Sequence, residues 1–353
     1  MRVLVVGPNE AGQRLTKLLA KYMDTAPQSF FYKMLRKKNI TINGKKAEGK
    51  EVVAVGDEIR LFLSEETILG FQSEKKMSAN DKAAEKPERK DSFDKEQKNP
   101  VLSLISSARI LYEDENVILI NKPAGILSQK AAPSDLSVNE WVIAYLENKG
   151  SLTGRDLLTF RPGVCNRLDR NTSGILIAGK SLSGLQNMAK LLKNREITKE
   201  YLTIVKGIVK DATRVSGYLE KNEKTNKVRV FEEKRSEEAA PIVTEYIPLS
   251  CANGYTLLRV HLITGKTHQI RAHLASLGFP VLGDGKYGDV SENRNLKERF
   301  LLEYQLLHAF RVVFPDDIDS CGKLSGKEVK ATVPAQFLRI AKALGLETGC
   351  ING

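Results

Sequence analysis

Only four cysteines occur in 353 residues, at Cys165, Cys251, Cys321 and Cys350, and none forms a C-x-x-C pair. That spacing argues against a zinc site or a disulfide framework and for reduced thiols in a cytoplasmic setting. Long apolar runs are missing too. The first, Val3 to Val6, falls far short of a signal-peptide core or a membrane span. No internal repeat is visible. Acidic residues are in deficit, with 43 Asp and Glu against 55 Lys and Arg, for a net charge of +12. Such a balance points to a polyanionic partner, nucleic acid before membrane. Hydrophobic residues at 41% and charged residues at 28% allow folded domains, and the length suits two or three of them.

Residues 1–66 read as a small α+β unit. Val3 to Val6 suits a strand. Leu15, Leu18, Leu19, Tyr22 and Met23 then recur at helical spacing, as do Phe30, Phe31, Met34 and Leu35. Arg36, Lys37 and Lys38 close the second helix, where cations suit the negative end of the dipole. Asn43-Gly44 marks a hairpin turn, and Val52–Val55 and Ile59–Leu63 read as further strands. Residues 67–100 then lose their apolar content. Phe71, Met77 and Phe93 are the only large apolar residues between 70 and 100, and the mixed charges nearly cancel. Such a segment buries too little surface to offset its chain entropy, so it reads as a flexible linker.

From Ile110 the globular pattern resumes. Ser137 to Leu146 suits a helix carrying the single tryptophan, Trp141, and a second helix is predicted near Ser183–Lys193. Strand patterns run from Lys199 to Val205, Tyr255 to Leu262 and Leu306 to Phe314. Three patterns here mislead. Gly174 to Ser181, G-I-L-I-A-G-K-S, matches a phosphate-binding loop, but Ile-Leu-Ile-Ala favours a buried strand over a loop that curls its N–H groups inward. Gly283 to Gly288, G-D-G-K-Y-G, matches a dinucleotide fingerprint but lacks a β-α-β setting, and reads as a surface turn. His268 and His273 lack the i, i+4 spacing that would face one metal from a helix.

The remaining stretch, Arg161 to Lys180, carries one acid, Asp169, between Arg167 and Arg170 and before a Thr-Ser-Gly turn. This arrangement suits presentation of a single ionised carboxylate, or a salt-bridged turn before a strand.

Two resemblances organise these pieces. A-G-Q-R-L, I-T-I-N-G-K and V-G-D-E-I-R-L, in that order, resemble an S4-like RNA-binding domain. The resemblance implies that Arg14, Lys17, Arg36, Lys37, Lys38, Lys45 and Lys46 face RNA phosphates. Lys38-Asn39 stands where that family usually has a glycine before the strand. Further on, E-D-E-N-V-I-L-I-N-K-P-A-G, N-R-L-D-R-N-T-S-G-I-L, K-E-Y-L, T-G-K-T-H-Q-I-R-A-H-L, G-D-G-K-Y-G and L-L-H-A resemble RluA-type pseudouridine synthases, in family order. Asn166 replaces the histidine usual before R-L-D-R.

The second resemblance implies an α+β catalytic domain over residues 101–345, with a central mixed, mainly antiparallel sheet and an active-site cleft. It implies isomerisation of uridine to pseudouridine in structured RNA, with large-subunit ribosomal RNA the expected substrate and transfer RNA the alternative. No cofactor or metal is expected, and the protein is expected to be a monomer. Asp169 acts at the ribose in this reading, by attack on C1′ or by removal of the C2′ proton. Arg271 pairs with it, and Tyr201 stacks on the uracil or serves as a base at C5. Arg167, Arg170, His268 and Gln269 are the expected RNA contacts. The competing functions are a non-catalytic RNA-binding assembly factor and, third, a P-loop ATPase.

Overall fold

The computed structural model describes residues 1–73, 100–106, 109–154, 156–222, 225, 227–318 and 321–351. The first unit comprises β1 (Arg2–Val5), α1 (Leu15–Tyr22), α2 (Gln28–Arg36), β2 (Ile40–Ile42), β3 (Lys45–Lys46), β4 (Glu58–Leu61) and α3 (Glu65–Gly70). Its antiparallel sheet runs β1-β4-β2-β3. The apolar stripes predicted for α1 and α2 form its core, where Leu15, Leu18, Leu19, Phe31 and Leu35 are all buried. Asn43 and Gly44 both have positive φ, as the tight β2–β3 hairpin requires. Lys38 is also left-handed, at φ 62°, where a glycine would be unstrained. The strand expected over Val52–Val55 is absent. Val53 is buried, Val52 makes an isolated bridge to Arg14, and Val55 is exposed.

The linker boundary also moves. Residues 67–73 are folded: Ile68 is buried in the first core, Gln72 donates to the Tyr22 carbonyl at 3.1 Å, and Ser73 caps onto Asp24. Ile68 lies on the inner face of α3, a burial that two flanking glutamates disguise in the sequence. The segment 74–99 of the expected linker lies outside the described residues. The first unit also touches the rest of the chain. Leu158 is buried in its apolar core, and the Thr159 hydroxyl bonds Glu10.

The larger unit contains β5 (Ile110–Glu113), β6 (Val117–Lys122), α4 (Val138–Asn148), β7 (Gly163–Val164), β8 (Ser173–Gly179), α5 (Leu182–Asn194), β9 (Thr198–Lys206), β10 (Thr213–Asn222), β11 (Lys227–Phe231), β12 (Ala240–Ala252), β13 (Tyr255–Leu262), α6 (Gln269–Ser276), α7 (Val290–Phe300), β14 (Leu307–Val313), β15 (Glu328–Lys330) and α8 (Ala335–Ala343). Its 11-stranded sheet follows β11-β10-β12-β13-β9-β14-β8-β6-β5, with β15 on β14 and β7 on β8. Only β14 and β8 pair in parallel, so the sheet is mixed and mainly antiparallel.

Every residue of β8 is buried. Leu176 and Ala178 join a core with Trp141 and Val142 of α4 on one face, while Ile175 and Ile177 meet Met188 and Leu191 of α5 on the other. Burial on both faces explains a continuous apolar run where a half-exposed strand would alternate. It also removes the phosphate-loop reading of Gly174–Ser181. Gly174 itself is required by packing: at φ 111°, a Cβ there would lie 2.2 Å from the Ala309 carbonyl oxygen of β14.

His308 on β14 is fully buried, with Nδ1 2.8 Å from the Ser173 hydroxyl and Nε2 facing the Ala331 carbonyl. A carbonyl only accepts, so Nε2 carries the hydrogen and Nδ1 accepts from Ser173. Burial pulls this imidazole down to about 4 from an ordinary 6.5. As pH falls through that window the unfolded chain takes up the proton first. His308 therefore costs the folded state up to about 3 kcal/mol as pH drops from its unfolded to its folded value. Urea unfolding at pH 7 and pH 5 should show this slope, and His308→Gln should remove its share.

Candidate active site

Asp169 sits in the turn leading into β8, and that turn is anchored from below. Ser128 Oγ donates to the Leu168 carbonyl at 2.8 Å and accepts from the Leu168 N–H at 3.0 Å. Asn166 Oδ1 accepts from the Ile177 N–H at 2.8 Å, so an uncharged side chain suffices to tie the loop to β8. Lys122, at the end of β6, is fully buried, and its ammonium donates to the carbonyls of Pro123, Ile126 and Arg170 at 3.0, 2.8 and 3.0 Å. Burial lowers the Lys122 ammonium to about 7, against the opposing pull of Asp169. Lys122→Met would strip the Pro123 and Ile126 carbonyls of their donor and leave the Arg170 carbonyl only the Gly125 N–H, beside the turn that carries Asp169. It should destabilise the protein by about 2 kcal/mol or more in denaturant titrations.

Across β14 lies β9. Ala309 is paired with Tyr201 on one side and with Gly174 on the other, which brings Tyr201 to the Asp169 end of β8. Tyr201 is buried, and burial followed by the negative charge of Asp169 pushes its phenol above the ordinary value. Arg271 comes from α6, a helix and not a strand, which begins after His268 in a left-handed conformation at φ 54°. Its Nη1 donates to Asp169 Oδ2 at 2.7 Å, while Nε and Nη2 donate to Asp284 Oδ2 and Oδ1 at 2.6 and 2.7 Å. Burial alone would lower the guanidinium, but Asp284 and then Asp169 outweigh it and hold Arg271 above its usual value. Arg271 thus bridges two carboxylates, and the Asp169 side chain keeps 26% exposure toward the cleft.

Asp284 is the residue that sequence reasoning missed. G-D-G-K-Y-G is a turn with Gly285 exposed, but Asp284 within it is only 1% exposed and points inward. Its Oδ1 also accepts the N–H groups of Lys286 and Tyr287 at 2.8 and 3.2 Å. Burial would raise this carboxyl, but Arg271 and those N–H groups hold it below the ordinary range. The glycines let the loop close: a Cβ at Gly288 would lie 2.3 Å from the Asp284 carbonyl oxygen. The signal for Asp284 was its motif, which matched the family but carried no assigned role.

The expected RNA contacts divide. Arg167 is exposed and lines the cleft with Asp169, Tyr201, His268 and Arg271. Arg170 is exposed but does not line it, and among the described residues neither arginine forms an ion pair with Asp169, whose partner is Arg271. His268 reaches the cleft with Nδ1 2.9 Å from the Tyr287 hydroxyl. That hydroxyl oxygen also accepts from the Val228 N–H at 2.8 Å, which fixes the Tyr287 ring beside His268. Burial lowers the His268 imidazole, against the raising influence of Asp169.

Gln269 is tied inward. It is buried, its Oε1 accepts from Thr264 Oγ1 and the Lys266 N–H, and its Nε2 donates to the Val243 carbonyl and Thr244 Oγ1. Gln269 lines the cleft, but its side-chain amide is fully used inside the protein, where it braces the start of α6. Arg14, Lys17, Arg36, Lys37, Lys38, Lys45 and Lys46 are all exposed on the first unit, and none lines the Asp169 cleft.

The family model for RNA pseudouridylate synthase matches residues 116–276, a span that holds Asp169, Tyr201 and Arg271. Ribosomal large subunit pseudouridine synthase C of Rickettsia bellii is 30% identical over 331 residues, covering 93% of this chain and 96% of that protein. The chain belongs to the RNA pseudouridylate synthase family. It is therefore an enzyme that isomerises uridine in RNA. Synthase C of Escherichia coli strain K12 is 28% identical over 318 residues, covering 89% of this synthase and 88% of that one. Among solved structures, human RNA pseudouridylate synthase domain containing 4 shares the fold, with a TM-score of 0.55 at 22% identity over 70% of this chain and 96% of that one. Among the described residues of the synthase, no helix is long and apolar enough to cross a membrane.

Proposed function

We propose that this synthase modifies large-subunit ribosomal RNA in the cytoplasm, as a monomer, with Asp169 performing the sugar chemistry. The bridge from Asp284 through Arg271 to Asp169 carries this reading. It fixes one carboxylate against a cationic fork and leaves it open to a cleft. The reaction breaks the N1–C1′ bond, turns the uracil, joins C5 to C1′, and moves the C5 proton off the ring while N1 gains one. No redox change enters. Asp169 either attacks C1′ or takes the C2′ proton. Tyr201 is held protonated, which suits a ring that stacks on the base and counts against a resting phenolate. Arg167, exposed at the cleft mouth, is placed to meet the strand from which the uridine has left its stack, a departure costing a few kcal/mol. The exposed cations of the first unit hold phosphates.

The large-subunit assignment follows the two relatives with that name, which align with this synthase along nearly their whole length. The test is tritium release from C5-labelled RNA, comparing large-subunit ribosomal RNA with transfer RNA, beside a pseudouridine map of cellular RNA with and without the protein. Release from transfer RNA alone would overturn the substrate reading. Absence of release from any RNA would favour a binding protein.

A further inference from the structure

Helix α2 carries two stripes. Phe31, Met34 and Leu35 face the core. Ser29, Tyr32, Lys33 and Arg36 recur at i, i+3, i+4 and i+7, and all four are exposed on the opposite face. They form one wall of an open groove, with Lys46 and Ala47 beyond β2 forming the other. Tyr32 is 44% exposed. A tyrosine kept for packing hides its ring, and this one does not. Gly49 lets the loop close on the helix at this point. At φ 92°, a Cβ on it would lie 2.5 Å from Thr16 and 2.9 Å from Leu35, and 3.5 Å from the Tyr32 ring. The ring's Cε1 edge thus lies toward the loop, while the residue as a whole stays exposed. Around it stand three exposed cations, Lys33, Arg36 and Lys46, with no ion pair among the described residues, and a single acid, Glu48, on the rim.

An exposed ring flanked by unpaired cations matches the chemistry of an unpaired nucleotide. The ring stacks on a base of any identity, and the cations take the flanking phosphates. A base inside a duplex has both faces covered by its neighbours and offers only phosphates. An interfacial membrane site would need a broad apolar face, and this stripe has one aromatic among cations. We propose that the α2 groove is a binding subsite for an unpaired nucleotide of the RNA, with its base stacked on Tyr32 and its phosphates on Lys33, Arg36 and Lys46. The subsite deepens the reading of the first unit as an RNA-holding surface and rests on it. It gives that unit a preference for single-stranded loops or bulges that phosphate contacts alone cannot supply.

The test uses the full chain and two labelled RNA hairpins, each closed by a non-nucleotide linker in place of a loop, one with a bulged nucleotide and one fully paired, in a filter-binding titration across a salt series. Tyr32→Ala should weaken binding of the bulged RNA about thirtyfold, the middle of the range for base–aromatic stacking. It should leave the paired hairpin and the salt slope unchanged. Tyr32→Phe keeps the ring and should bind like the parent. Alanine on an exposed helix face keeps the fold. Lys33→Gln with Arg36→Gln should weaken both RNAs and flatten the slope by about two phosphate contacts. If that double variant flattens the slope while Tyr32→Ala leaves the bulged RNA unaffected, or weakens both hairpins equally, the nucleotide subsite is wrong and the RNA surface stands. If the slope does not move at all, the RNA-holding reading fails and the subsite with it.

Discussion

Asp169→Asn should abolish pseudouridine formation while RNA binding persists. Asparagine keeps the size of the side chain, and its carbonyl oxygen can still accept from Arg271 Nη1, so the 2.7 Å contact has a near-equivalent and the fold should survive. It can neither attack C1′ nor take the C2′ proton. Removing a group that does the bond-making costs on the order of a millionfold in kcat in other enzymes, and among the described residues no other carboxylate lines this cleft to substitute. Tritium release from C5-labelled RNA measures the loss, and filter binding run beside it measures what is kept. Substantial release by a folded Asp169→Asn protein would sink the assignment.

Asp284→Asn should be nearly as damaging, although Asp284 lies behind the arginine. The Arg271 fork spends two of its donors on Asp284 and one on Asp169. With asparagine at 284, an amide N–H faces a guanidinium N–H and one buried charge loses its partner. Such a break costs about 3–5 kcal/mol of stability. Arg271 is then free to turn toward Asp169 or away from it, and misplacing a catalytic group by an ångström costs about a hundredfold. The expected result is a kcat lower by about a hundredfold, KM changed little, measured at a temperature where circular dichroism shows the variant folded. The split matters, because a purely structural role for Asp284 would lower the amount of active enzyme without changing the turnover of the folded fraction. Arg271→Lys tests the same bridge from its centre. Lysine keeps the charge but cannot serve both carboxylates in fixed geometry, so a large but incomplete loss is expected.

The sequence by itself determined the elements and most of their faces. Helical spacing placed Leu15, Leu18, Leu19, Phe31 and Leu35 in one core, and all are there. The apolar run after Gly174 could only be a buried strand, and β8 is buried throughout. Ordered motifs also named Asp169, Tyr201 and Arg271 before any contact among them was visible. These features are legible because periodicity and turn chemistry are local, written within a few residues of where they act.

What tertiary structure alone decided depends on partners far apart in the chain. Asp169 and Arg271 are separated by 102 residues, and they meet because β8, β14, β9 and β13 are neighbours in the sheet and α6 follows β13. Arg167 and Arg170 flank the acid in the chain, but its ion pair is with Arg271, the partner that the family resemblance implied and that local spacing could not show. An acid bracketed by glycines reads as a solvent turn, and only packing against α6 shows Asp284 buried. A glutamine two residues before Arg271 reads as a ligand contact, until the strand β12 and the Thr264 turn are seen to use all of its side-chain hydrogen-bonding capacity. Burial and hydrogen-bond saturation belong to the set of neighbours that sheet order assembles, and a residue's own sequence surroundings carry little of that information.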